Sequence, residues 1–66
     1  MGEPENQQRL LEIADALDEE ATAADYLAGL AEAEGDSTKA AEISGDAATM
    51  RRWATLNRDI WRASEN

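Results

Sequence analysis

A chain of 66 residues forms one domain at most, and one this short buries only about 60% of its unfolded surface. Cysteine and histidine are both absent, which excludes disulfides and thiolate metal sites and removes the commonest metal ligand and the usual general base. The formal net charge of −9 opposes non-specific affinity for nucleic acid or anionic membrane.

Small domains without disulfides or metals rely on helix packing or self-association. The charge is unevenly spread. Residues 1–36 hold eleven acids against one base (−10), and residues 37–66 hold four acids against five bases (+1). The asymmetry predicts acidic and basic helices lying against each other, within one chain or across a dimer. No apolar run approaches the roughly 18 residues needed to span a bilayer. Met1-Gly2-Glu3-Pro4 lacks a basic n-region and an apolar h-region, and Asn6 stands where an N-myristoylation motif wants Ser or Thr. The expectation is a soluble protein of the cytoplasm, without a membrane partner. High charge and few aromatics point towards disorder, but 42% hydrophobic residues and a sustained helical period predict order.

In chain order, residues 1–3 read as a flexible tail and residues 4–66 as a single helical domain. Pro4 suits the first turn of a helix, and Glu3 and Glu5 lie near the positive end of its dipole. Leu10, Ala14, Leu17, Ala21, Ala24, Ala28 and Ala31 follow at alternating spacings of four and three, a stripe close to a heptad seam. Leu11, Ile13, Leu27 and Leu30 widen it. Gly35 is placed to end the helix. Thr22-Ala23-Ala24-Asp25 has the form of a capping box with Asp in place of Glu, so residues 4–34 read either as one helix or as two.

Asp36 or Ser37 caps a short helix from Thr38 to Ser44. Gly45 then ends that helix and Asp46 caps a last one, about Ala47 to Ala63. In the last helix Met50, Trp53, Ile60 and Trp61 fall on roughly one face, with Ala47, Ala54 and Asn57 near it, while Arg51, Arg58 and Arg62 lie on another. Trp53 reads as core against the Leu10–Leu30 stripe, and Trp61 as an interface residue. The fold class is all-α: a small helical bundle or hairpin of three to four helices, completed by homodimerisation. No stretch alternates as a strand would.

The abundant carboxylates raise acid/base catalysis. Glu12, Asp15 and Glu19 share one helical face, as do Asp18, Asp25 and Glu32 at sevens. A catalytic carboxylate needs a desolvated pocket, and these acids lie opposite the apolar stripe. No dinucleotide loop, phosphate loop, calcium loop or Ser/His/Asp set is present. Catalytic, cofactor-binding and metal-ligating residues are therefore assigned to none, and the protein reads as a non-enzyme. Glu12, Asp15, Asp18, Glu19, Asp25 and Glu32 form a candidate acidic partner-binding face. Acids four apart on a helix are about 6 Å apart, close to the phosphate spacing along one nucleic-acid strand. Arg51, Arg52, Arg58, Trp61 and Arg62 form a candidate basic and aromatic face.

One local resemblance is present. Lys39-Ala-Ala-Glu-Ile-Ser-Gly45 followed by Asp46-Ala-Ala-Thr-Met-Arg-Arg-Trp53 resembles the helix-turn-helix of excisionase and MerR-type regulators. Ala41, Gly45, Thr49, Met50, Arg51, Arg52 and Trp53 are the matching positions, although the turn is one residue short. The resemblance implies that Arg51, Arg52 and Lys39 face DNA. The leading expectation is instead an acidic interaction protein with a protein target. In size and charge it is similar to phage- or mobile-element-type inhibitors that occlude a basic, nucleic-acid-binding surface. The alternatives are the helix-turn-helix module using residues 39–53 and a self-assembling structural subunit. The expected partners are a protein target and a second copy of the chain, with nucleic acid disfavoured by charge.

Overall fold

The structure is a computed structural model that describes residues 4–65. It is an all-helical hairpin of two long helices, α1 (Pro4–Ala33) and α2 (Ser37–Glu65), joined by residues 34–36. The expected tail, residues 1–3, lies outside the described residues, as does the dipole contact expected of Glu3.

The turn is built by local chemistry. Gly35 takes φ +85°, a left-handed conformation that side chains with a Cβ resist. Its N–H donates to the Glu32 carbonyl and the Asp36 N–H to the Ala31 carbonyl, both at 2.9 Å. This pair is a Schellman closure of α1. Asp36 then starts α2 at once: its carboxylate accepts from the Lys39 N–H at 3.0 Å, and its carbonyl accepts from the Ala40 N–H at 3.0 Å. Asp36, not Ser37, is the N-cap.

The anticipated seam lines α1. Ala14, Ala21, Ala24, Ala28 and Ala31 are buried, and Leu10 and Leu17 are half-buried between them. The matching seam of α2 runs Ala40, Ile43, Ala47, Met50, Ala54, Asn57 and Trp61. Counting outward from the turn sets Ala31 opposite Ala40, Ala28 opposite Ile43, Ala24 opposite Ala47 and Ala21 opposite Met50. The packed cluster of Ala21, Ala24 and Ala47 with Ile43 and Met50 fits this register. Alanine in every layer lets the backbones approach closely. It also means that, among the described residues, all eight buried core residues are alanines and no large side chain is fully buried. The hairpin is 52 Å long and only 14 by 12 Å across, so every seam layer borders solvent on both flanks.

One open alternative is decided and two expectations are corrected. The capping box at Thr22 does not form: α1 runs through it, and the Thr22 hydroxyl donates back to the Asp18 carbonyl at 3.0 Å. Gly45 and Asp46 make no helix boundary, because α2 is continuous from Ser37 to Glu65. The chain therefore forms two helices, not three or four. The Thr49 hydroxyl donates to the Gly45 carbonyl at 3.1 Å, one turn back in the same helix. A mid-helix glycine costs only about 1 kcal/mol, and unbroken seam packing from Ala40 to Trp61 outweighs that. Finally, Trp53 is not core but 55% exposed, while Trp61 is half-buried in the seam. Ala47 and Ala54, both at 0% exposure, set the phase of α2. Trp53 stands one residue before Ala54, roughly 100° around the helix.

Candidate functional site

Because the hairpin is only two helices thick, its surface divides into two flanks of the seam and two outward backs. One flank carries the ion pairs. Asp18 and Asp25 stand seven apart on α1, and Arg51 and Arg58 stand seven apart on α2. In an antiparallel pair, the residues following the seam on each helix meet across it. Arg51 Nη2 pairs with Asp25 Oδ2, and Arg58 Nη2 reaches Asp18 at 2.7 Å and Asp15 at 2.9 Å. The hydrogen bond that Arg51 donates to Asp25 pushes its guanidinium above the ordinary pKa; desolvation opposes this, and the charges of Asp25 and Asp18 add to the rise. Hydrogen bonds donated to Asp18 and Asp15 do the same for Arg58. Both shifts are upward, so their contribution is complete below the ordinary guanidinium pKa and is lost only as pH climbs through the raised one. Near neutrality these exposed pairs respond to salt, not to arginine titration. Replacing Arg51 and Arg58 together with Gln is expected to lower the melting temperature at low salt. Thermal melts at high salt should show a smaller gap, because screening weakens what the substitutions remove.

The two candidate faces are thereby partly merged. Asp15, Asp18 and Asp25 of the acidic set and Arg51 and Arg58 of the basic set face one another across the seam. Glu12 and Glu19 occupy the outward back of α1, and Glu32 lies exposed at the turn end of the ion-paired flank. Arg62 pairs with Asp59 of its own helix at 3.3 Å. Arg52 is exposed on the outward back of α2, away from Arg51 and Arg58, and Trp61 fills a seam layer. The basic and aromatic set is therefore not one surface. Arg51 is committed to Asp25, and the continuous helix leaves no turn at Gly45. The helix-turn-helix geometry of residues 39–53 is absent.

The other flank is apolar and was not recognised as a separate surface. Ile13, Leu27 and Leu30 of α1 and Trp53, Leu56 and Ile60 of α2 all lie there, each 45% to 55% exposed. At the turn end, Leu27 and Leu30 line a shallow groove with Lys39 and Ile43, which places both helices on the same side. The signal is legible in retrospect. Ile13, Leu27, Trp53 and Ile60 each immediately precede a seam residue, so they form a row beside it. Glu20 and Asp46 interrupt the row near its middle. Tyr26, 69% exposed, lies instead on the outward back of α1.

Comparison with protein-family models, curated proteins and solved structures returned no match to this chain. Neither helix, over its described residues, is long and apolar enough to cross a membrane. The described fold is thus an alanine-seamed αα-hairpin with one ion-paired flank and one apolar flank.

Proposed function

We infer that this protein is a non-enzymatic, acidic interaction module that binds a protein target through the carboxylates of α1. The observation that carries this reading is how the hairpin uses its charges. In-chain pairing occupies Arg51 and Arg58, two of the residues that a nucleic-acid-binding surface would need. Glu12, Glu19, Glu20 and Glu32 meanwhile stay exposed along one unbroken helix. From Glu12 to Glu32 that helix spans about 30 Å at 1.5 Å per residue. The target surface that fits is basic, so the module acts in the manner of an inhibitor covering a nucleic-acid-binding site. Complementary charge of this kind speeds association and confers specificity.

The test is capture from extracts of the source cell with tagged protein at low and high salt. The expected result is a basic protein recovered in stoichiometric amount at low salt and released at high salt. Glu12→Gln and Glu19→Gln together should weaken its retention several-fold while far-UV circular dichroism stays unchanged. A partner retained equally by this double variant, or no stoichiometric partner at all, overturns the reading. Displacement of duplex DNA from the recovered protein would establish the inhibitory step.

A further inference from the structure

We propose that the apolar flank is the seat of a second copy of this chain, docked with the two turns at opposite ends to give an antiparallel four-helix bundle. Three observations carry it. The first is the core. An isolated hairpin whose described residues include eight buried alanines and no fully buried large side chain removes little apolar area from water per residue. Among the described residues, six of the seven exposed large apolar side chains sit together on one flank, where a second hairpin covers all six at once. Two-helix layers packed face to face are the standard way for such stripes to close.

The second is area. The chain exposes 4909 Å², whereas a compact monomer of this mass exposes roughly 4100 Å². The excess, about 800 Å², matches what each partner buries in a standard-size stable interface. The third is the placement of charge along the flank. Leu27 and Leu30 lie near the turn, and Ile13, Leu56 and Ile60 near the open end. Opposed turns bring the first group of one copy against the second group of the other, with the two Trp53 rings on either side of the two-fold axis. The same arrangement carries Glu34 towards Arg9 of the other copy. Turns at the same end would instead gather Glu34 and Glu42 of both copies at one end.

The dimer uses a different surface from Glu12 and Glu19 on the back of α1, and its salt response has the opposite sign. Each copy carries −9, so screening relieves repulsion and tightens the dimer, while the same salt loosens an acidic module from a basic target. Failure of one proposal is therefore distinguishable from failure of the other.

Sedimentation equilibrium of the full chain over a wide concentration range is the primary test. The expected result is a mass of two chains, a dissociation constant that falls with added salt, and a melting temperature that rises with protein concentration. Leu27→Glu with Ile60→Glu weakens association by roughly a hundredfold or more, whereas Tyr26→Glu on the back of α1 leaves it unchanged. A measurement that needs no flank substitution supports the assignment: in the Trp61→Phe protein, Trp53 emission shifts to the blue and resists quenching as dimer forms. Orientation is read from a spin label on Ser37→Cys, the only cysteine in the chain. Opposed turns place the two labels on the order of 40 Å apart, since the helices rise 1.5 Å per residue. A helical protein with the mass of one chain at the highest concentration, or a dimer unaffected by Leu27→Glu with Ile60→Glu, overturns the proposal. A label separation of less than about half that distance overturns the antiparallel arrangement.

Discussion

Replacing Ala47 with Leu lowers the stability of the hairpin by about 3 kcal/mol, the upper end of the usual cost of overpacking. Ala47 has 0% exposure and packs with Ala21 and Ala24 in the core cluster between the helices. Three added carbons have nowhere to go unless the helices separate, and separation loosens the neighbouring alanine layers. That loss is a large share of the few kcal/mol available to a single core in a chain this short. Ala48→Leu is the control. Ala48 is exposed, and leucine and alanine are both strong helix formers, so that variant should stay within about 0.5 kcal/mol of the parent. Urea unfolding followed by far-UV circular dichroism separates the two. Equal behaviour would mean that the seam does not run through Ala47.

The same substitution at two glycines gives opposite signs. Gly35→Ala destabilises by about 1 kcal/mol or somewhat more, because a Cβ disfavours the left-handed backbone that closes α1. Gly45→Ala stabilises by roughly 0.5–1 kcal/mol, the usual gain in a helix interior. A Cβ built on Gly45 meets nothing within 4 Å, so no contact opposes the gain. Had Gly45 ended a helix, as its neighbours Ser44 and Asp46 suggest, the second sign would reverse. Thermal unfolding of the two variants at a single protein concentration decides the matter, since self-association would otherwise shift both values.

Much of α1 was legible because its information is local. The alternation of four and three from Leu10 to Ala31 is a direct statement of which stripe a 3.6-residue helix buries. Gly35 and Asp36 were equally readable, since a left-handed C-cap and an N-cap are chosen by the residue itself. The grouping of Arg51, Arg58 and Arg62 also follows from spacing alone. Gly45–Asp46 misled for the same reason. The two residues have the local chemistry of a helix end, but their neighbours Ile43, Ala47 and Met50 continue a seam whose packing they do not interrupt.

Trp53 shows where reading one helix by itself stops. On an isolated helix, Met50, Trp53, Ile60 and Trp61 make one broad apolar face, and size favours the tryptophan as its centre. Against an alanine-lined partner, the closest packing goes to the small residues, so Ala47 and Ala54 take the seam and Trp53 is turned to the flank. The partners of the arginines were likewise undecided until the antiparallel register set Asp25 across from Arg51 and Asp18 across from Arg58.

The sequence by itself determined an all-helical chain, the buried stripe of α1, the turn at Gly35–Asp36 and a strongly acidic surface. Each of these depends on backbone preference or on spacing within one helix. Only the tertiary structure decided that α2 is continuous, which side of it is buried, where Arg51 and Arg58 spend their charge, and that the apolar row beside the seam is left uncovered. Those outcomes depend on what lies across the interface, and the close approach of two alanine rows is a property of the pair.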